Sequence, residues 1–259
     1  MNILLTNDDG YDSEGLVILE HALADAGHDV WICAPSGQRS AMSHSMTLRG
    51  DVVVTRYAER YFHCSGTPAD CVLYAIKGGV LPVLPDVVVS GINQGYNLST
   101  DILYSGTVGA AREACLMGLK AIAISAWGGK VPTPFEEAAR FLTDNLEYFM
   151  GFCDVSTMVN INVPPQPTGQ WDVGDIGRLE YYTTLESARD IVRRIFDTSG
   201  TNFGSSADLT SHVFDSKDLA GRPHLSPHSP ERDIATDYEL VKDNIIAVTP
   251  LHILPAMNA

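Results

Sequence analysis

Short apolar runs alternate with amphipathic stretches over the first 165 residues of the chain. The run Ile3-Leu4-Leu5-Thr6 is typical of a buried strand, and the stretch that follows, from about Ser13 to a stop at Gly27, places Leu and Ala at helical spacing. Further strand-like runs cover residues 30–33, 51–55, 61–64, 86–90, 121–125 and 158–163, and further helices begin near Thr67, Thr107 and Pro134. This alternation predicts a parallel sheet wrapped by helices.

The pattern changes after Pro164-Pro165. Residues 166–233 are rich in Gly, Ser, Thr, Asp and Pro with only weak strand patterns, and order returns with the apolar run at 245–248. We therefore predict an α/β protein with a three-layer core over residues 1–165. Residues 166–259 form an extension that ends in a strand.

Composition excludes several classes of protein. The chain has 259 residues, with 17 Lys+Arg against 32 Asp+Glu, and a formal net charge of −15. Because this charge comes without a basic block, it repels a phosphate backbone, and we expect no nucleic-acid duplex as a partner. No apolar stretch approaches the length needed to span a bilayer, so we expect no membrane partner.

The cysteines and the N-terminus bear on the compartment. Five cysteines are scattered without metal-ligand spacing, a pattern that favours reduced thiols in the core. The first nine residues carry no basic region and already include Asp8, which is unlike a secretory signal. We therefore expect a cytoplasmic protein.

Polar residues follow the predicted strands at the points where ligands collect in parallel α/β sheets. The first strand ends in Asn7-Asp8-Asp9-Gly10, and the second is followed by a loop that contains Ser40. The strand over residues 86–90 leads into a loop with Asn93 and Asn97, and a helix opens just after it. We expect all of these segments at one edge of the sheet.

The adjacent carboxylates Asp8 and Asp9 would repel each other unless a positive charge lay between them. With the Ser40 hydroxyl and the Asn93 amide oxygen they form an all-oxygen ligand set, which suits Mg²⁺, Mn²⁺ or Ca²⁺. Alternatively, the two acids only cap the following loop, and Asn93 only shapes a turn.

Ser105-Gly106-Thr107 opens a predicted helix, where free backbone N–H groups and the helix dipole favour anions. Gly106 permits close approach to the backbone, and the hydroxyls of Ser105 and Thr107 add donors. The segment is predicted to bind phosphate, with an ordinary helix N-cap as the alternative.

Several motifs together resemble one known family. They are Asn7-Asp8-Asp9-Gly10, Arg39-Ser40, Gly66-Thr67-Pro68-Ala69-Asp70, Ser90-Gly91-Ile92-Asn93-Gln94-Gly95-Tyr96-Asn97, Tyr104-Ser105-Gly106-Thr107, Thr236-Asp237-Tyr238 and Val248-Thr249-Pro250-Leu251. In order and spacing they are similar to the SurE family, the stationary-phase survival nucleotidases. The similarity is dense over residues 1–126, thin in between, and present again over about 234–253.

The resemblance implies a Rossmann-like core and a metal-dependent phosphomonoesterase that acts on nucleoside 5′- and 3′-monophosphates and, in some members, on short polyphosphate. It implies Asp8, Asp9, Ser40 and Asn93 as ligands of one divalent ion per subunit, Mg²⁺ or Mn²⁺. Asn97 and Ser105-Gly106-Thr107 match the segments around the phosphate. It also implies a C-terminal region that joins subunits into a homodimer or homotetramer. One departure is Ala41-Met42, where the family commonly has Gly-Ala.

The chemistry can be stated as a hypothesis. A divalent ion would lower the pKa of a water, Asp8 or Asp9 would receive its proton, and the helix N-terminus would hold the phosphoryl oxygens. The sequence leaves open whether water attacks directly or a transient aspartyl-phosphate forms. The alternative is a non-catalytic module, either a nucleotide binder or a receiver-like Mg²⁺ binder. A receiver needs an Asp at the end of a central strand and a Lys at a later one, where this chain has Ser90-Gly91 and Ser125-Ala126.

Overall fold

The computed structural model describes residues 1–129, 131–177, 179–181, 223–225 and 234–253. The chain divides into two compact units, one comprising Met1–Gly177 and Arg232–Ala259, the other Arg178–Glu231. In the second unit, Leu179–Tyr181 (β9) pairs antiparallel with Pro223–Leu225 (β10). The predicted role of the extension, residues 166–259, in self-association falls mostly on residues outside the described part.

The first unit is built on a nine-stranded sheet. Its strands are Asn2–Thr6 (β1), Asp29–Pro35 (β2), Val54–Ala58 (β3), Tyr61–Cys64 (β4), Val87–Gln94 (β5), Lys120–Ala126 (β6), Thr157–Val163 (β7), Trp171–Val173 (β8) and Ile246–His252 (β11). Their order is β3-β4-β2-β1-β5-β6-β7-β11-β8. The six strands from β4 to β7 are parallel, as predicted. At the edges, β3 pairs antiparallel with β4, and β11 pairs antiparallel with β7 and parallel with β8.

Helices cover both faces of the sheet and confirm the three layers. They are Glu14–Asp25 (α1), Pro68–Lys77 (α2), Gly106–Leu116 (α3), Phe135–Met150 (α4) and Asp237–Lys242 (α5). Alternate residues of β1 serve opposite faces: Ile3 and Leu5 pack with α1 and α4, and Leu4 packs with α2 and α3. The α5 helix packs against β11.

Local sequence signals place several boundaries correctly. Thr67 caps α2 in a reciprocal capping box with Asp70, and Pro68 occupies the first turn. The predicted strand over residues 51–55 lies three residues later in the structure, as β3, because its partner β4 ends at Cys64, opposite Val54.

The five cysteines are buried free thiols, which confirms that prediction. Among the described residues, no helix is both long and apolar enough to cross a membrane.

Sheet order also locates a ligand crevice. From β1 the sheet continues to β2 on one side and to β5 on the other, so the connections leave β1 in opposite directions. In such sheets, the crevice at the carboxyl ends of the two strands that flank the reversal is where ligands bind. Asn93 lies within β5, which continues to Gln94 because it still pairs with β6 there, and not in the loop predicted after residue 90. The acidic motif after β1 and the end of β5 with Asn93 therefore face this crevice from its two sides.

Candidate metal and phosphate site

The loop after β1 is fixed by its own asparagine. The Asn7 side chain is fully buried, accepts a hydrogen bond from the Gly10 amide at 3.1 Å, and donates to the Gly10 carbonyl at 2.8 Å and to the Ser13 hydroxyl at 2.6 Å. Gly10 has a φ of +117°, a conformation that favours glycine. The two carboxylates between these residues are thus presented by a turn with little freedom.

Asp8 is almost completely buried against the N-terminus of α3. Its Oδ1 accepts a short hydrogen bond from the Thr107 hydroxyl. A Cβ at Gly106 would lie 2.9 Å from both Cβ and Oδ2 of Asp8, so only glycine permits this approach. The glycine predicted to admit a phosphate admits the Asp8 side chain, and the positive end of the α3 dipole lies beside an anion of the protein itself.

Asp9 is half-buried and is directed toward β5. Its Oδ2 accepts a hydrogen bond from the Gln94 amide at 3.3 Å, which bridges the crevice. Gln94 follows Asn93, whose Nδ2 donates to the Gly95 carbonyl at 2.8 Å. This contact uses the donor end of the Asn93 amide and keeps its oxygen as a potential ligand beside Asp9.

Both carboxylates have raised pKa values, and burial is the main cause. Burial raises the pKa of Asp8 from 3.8 to about 6, although hydrogen bonds from Thr107 oppose the shift and the charge on Asp9 adds to it. Burial likewise raises the pKa of Asp9, against the hydrogen bond from Gln94. No ion pair in the described part of the chain involves either carboxylate. A cation between them would remove the cost of burying both charges.

The loop after β2 reaches the site through its backbone. The Arg39 amide donates to the Asp8 carbonyl at 2.6 Å, which brings the following residue, Ser40, next to the acidic turn. Ser40 is exposed. Beyond it, the Ser43 amide donates to the Tyr104 carbonyl at 2.9 Å, and His44 Nε2 lies 2.7 Å from Glu113 Oε2 on α3.

Ser105 is the N-cap of α3, and its hydroxyl accepts a hydrogen bond from the Val108 amide at 3.1 Å. The ordinary N-cap that the sequence left as an alternative is therefore present. It does not compete with anion binding, because the N–H groups of the first turn still point out of the helix end.

Asn97 is hydrogen-bonded to polar side chains of β6 and β7. Its amide donates to Asn162 Oδ1 at 2.9 Å, its carbonyl accepts from Asn160 Nδ2 at 2.8 Å, and its Nδ2 donates to the Ser125 hydroxyl at 2.8 Å. Sequence reasoning missed these supporting residues. The signal was present in β7, where two asparagines interrupt an otherwise apolar strand at alternate positions.

Within the described residues no group of three or more His, Cys, Asp or Glu side chains is arranged around a metal position. The predicted ligand set contains only two such residues, with a hydroxyl and an amide, so a hard ion that also keeps water ligands fits it best. The structure thus brings Asp8, Asp9, Asn93 and the N-terminus of α3 to one crevice, with Ser40 at its exposed border.

Comparisons with known proteins find similar sequences and a similar fold. The family model described as "Survival protein SurE" matches residues 3–183. The chain is 37% identical to the 5′-nucleotidase SurE of Desulfitobacterium hafniense over 256 residues, covering 97% of this chain and 91% of that protein. It is 38% identical to the 5′-nucleotidase SurE of Desulforudis audaxviator over 264 residues, covering 98% and 92%. The crystal structure of the SurE protein from Aquifex aeolicus superposes with a TM-score of 0.72 at 28% identity, covering 99% of this chain and 95% of that one.

Proposed function

The chain belongs to the SurE family and is a 5′-nucleotidase, and we propose that the crevice between β1 and β5 hydrolyses its substrate with the help of one divalent metal ion. The observation that carries the proposal is the pair of adjacent carboxylates, Asp8 and Asp9, at the sheet's reversal point without a cationic partner among the described residues. A hard ion at this position would supply the missing charge.

The donor chemistry supports Mg²⁺ or Mn²⁺. Asp8 and Asp9 offer carboxylate oxygens, Asn93 offers an amide oxygen, and Ser40 a hydroxyl at the exposed border. All four are oxygen donors, and only two carry charge. The two carboxylates balance the charge of a dication without exceeding it, so the bound ion could still accept an oxygen of an anionic phosphate. An ion held there would neutralise charge on the phosphoryl group and lower the pKa of a water.

The phosphoryl group belongs on the N-terminal turn of α3. Ser105, Gly106 and Thr107 place backbone N–H groups at the helix end next to Asp8, so that the anion would bind beside the Asp8 side chain and not between it and the helix. Asn97 is the neighbouring polar residue, and its four hydrogen bonds to the sheet keep this wall of the crevice rigid. Fixed donors are effective because they need no reorganisation when charge develops on the phosphoryl oxygens.

The two carboxylates take different parts in the reaction. Asp8 is buried and bonded to Thr107, so its role is to bind and orient. Asp9 is the more exposed of the two, and its Oδ2 is bonded to the Gln94 amide, which leaves Oδ1 to receive the proton of the attacking water. The bond from phosphorus to the nucleoside oxygen would break as the water oxygen forms its bond to phosphorus, and the proton taken up by Asp9 would return through solvent to the nucleoside oxygen.

The test is phosphate release from p-nitrophenyl phosphate and from AMP with Mn²⁺ or Mg²⁺, with and without EDTA. Asp9→Asn keeps the shape of the loop and removes one charge, so we expect activity to fall at least about a hundredfold. Asp12→Asn, an exposed acid in the same loop, is the matched control and should stay within about twofold of the wild type.

Two results would count against the proposal. Near-wild-type turnover by Asp9→Asn at saturating Mg²⁺ would exclude Asp9 from the chemistry. A wild-type protein that releases no phosphate with any divalent ion would instead be a non-catalytic nucleotide-binding module.

The wider substrate range, assembly and location of the protein are also part of the proposal. From the family resemblance we infer activity on nucleoside 3′-monophosphates and short polyphosphate, and a homodimer or homotetramer as the working form. Five buried free thiols support a reducing compartment, the cytoplasm.

A further inference from the structure

A second buried carboxylate, Asp237, lies close to the site but outside the metal set. Asp237 is fully buried, and its two oxygens accept four hydrogen bonds: from the Ser99 amide at 2.6 Å, the Ser99 hydroxyl at 2.7 Å, the Gly177 amide at 3.1 Å and the Tyr238 amide at 2.8 Å. All four donors are neutral. This carboxylate is therefore held by an arranged set of donors and has no ion pair among the described contacts.

Ser99 stands at the turn that leads into the phosphate segment. It is 1% exposed, has a φ of +53°, and begins the short 3₁₀ helix Ser99–Leu103. That helix follows Asn97 by two residues and ends just before Ser105, the N-cap of α3. The left-handed backbone at a non-glycine residue needs support from outside the segment, and Asp237 supplies it through both the amide and the hydroxyl of Ser99.

The packing around this contact is tight. A Cβ at Gly177 would lie 2.5 Å from the Ser99 hydroxyl and 3.3 Å from Asp237 Oδ1, so the three residues meet at a place that only glycine fits. The Asp237 amide donates in turn to the Asp175 carbonyl at 2.8 Å. Helix α5 is thereby attached to the wall of the crevice through Ser99, 138 residues away in sequence, and its Leu240 and Val241 also pack in one apolar cluster with Leu98.

We propose that Asp237 is a positioning residue for phosphate binding: it fixes Ser99 and so sets the segment from Asn97 to Ser105 against Asp8. The inference rests on the proposed function for its kinetic consequence. Its structural consequence, the order of residues 97–105, can be measured without any activity.

The test compares Asp237→Asn with Thr236→Ala. In Asp237→Asn one acceptor oxygen becomes an NH₂ group that faces an N–H donor, so the contact to Ser99 or Gly177 is lost at unchanged size. Thr236→Ala removes the N-cap of the same helix, which weakens α5 but leaves the Asp237–Ser99 contact in place. The pair separates positioning of the loop from loss of helix stability.

We expect kcat of Asp237→Asn to fall about tenfold at a temperature where both variants are folded, and kcat of Thr236→Ala to stay within about twofold. Ser99→Ala should lower kcat less, and its effect should be largely absent in the Asp237→Asn background, because both changes break the same contact. Hydrogen exchange of residues 97–105 should be faster in Asp237→Asn only.

Equal kcat losses in Asp237→Asn and Thr236→Ala, or full additivity with Ser99→Ala, would overturn the proposal. So would unchanged exchange in residues 97–105 of Asp237→Asn. If the wild type releases no phosphate, the proposed function fails, and the exchange comparison alone still decides whether Asp237 positions the segment.

Discussion

The loop after β1 and the loop after β2 both border the crevice, and their construction differs. In the first, Asn7 and Asp8 are buried, the Asn7 side chain bonds to residues three and six positions away, and Asp8 lies on the end of α3. The second is largely exposed, and Ala41 and Ser43 both have a φ of +56°. The loop with Asp8 and Asp9 is therefore fixed largely by its own hydrogen bonds. The conformation of the loop with Ser40 depends on contacts with other elements.

The contacts that hold the second loop come from α2, α3 and the 3₁₀ helix Ser99–Leu103. The Ser43 hydroxyl donates to the Leu103 carbonyl at 2.6 Å, and the Thr47 hydroxyl donates to Asp70 on α2 at 2.6 Å. His44 lies against Glu113 on α3. These contacts, together with the hydrogen bond from the Arg39 amide to the Asp8 carbonyl, position Ser40 at the border of the crevice.

The largest expected effect comes from a substitution that displaces the loop after β1. In Gly106→Ala, the new Cβ would lie 2.9 Å from Asp8 Cβ and Oδ2 and 3.2 Å from Pro68 Cγ, so Asp8 must leave the end of α3. We expect phosphate release to fall about a hundredfold or more, with weaker metal binding measured by calorimetry.

Gly37→Ala is the control in the second region, because a Cβ there meets nothing within 4 Å. It should keep kcat within about twofold. Equal losses of activity in Gly106→Ala and Gly37→Ala would contradict the difference in rigidity between the loops after β1 and β2.

The next largest effect is the pH dependence of the free energy of unfolding, to which the buried Asp8 carboxyl contributes. The folded state raises the pKa of Asp8 from 3.8 to about 6, so between these values the folded protein holds a proton that the unfolded chain releases. The free energy of unfolding of metal-free protein should therefore fall as pH rises from about 4 to above 6, with Asp8 contributing up to about 3 kcal/mol at 1.36 kcal/mol per pKa unit. Urea denaturation in EDTA at several pH values measures this slope.

Asp8→Asn should lose that part of the slope, and added Mn²⁺ should stabilise the wild type more at pH 7 than at pH 5, since the ion competes with the proton. An identical slope in wild type and variant would show that the Asp8 carboxyl is not the group disfavoured by burial.

The sequence predicted the first region better than the second for a physical reason. Polar residues at the end of a buried strand stand out against an apolar run, so Asp8 and Asp9 could be placed from local pattern alone. Partners distant in sequence carry no such signal: the Thr107 hydroxyl was expected to face a phosphate and is bonded to Asp8, and Asp237 contacts Ser99 from the far end of the chain. Layer order and most helix starts were likewise predictable, because capping residues and periodicity are local.

The smallest effect concerns the strain in the second loop. At φ +56° an alanine Cβ crowds its own backbone, and this is the position where the resembling family commonly has glycine. Ala41→Gly removes the crowding and adds freedom to the unfolded chain. We therefore expect a net gain of about 0.5 kcal/mol in the free energy of unfolding, measured by urea denaturation, with kcat within about twofold. Ala26→Gly is the matched control, because Ala26 is exposed with a φ of −76° and should only lose stability. If both variants lose stability alike, the outer contacts of the loop, and not the residue at position 41, determine its backbone.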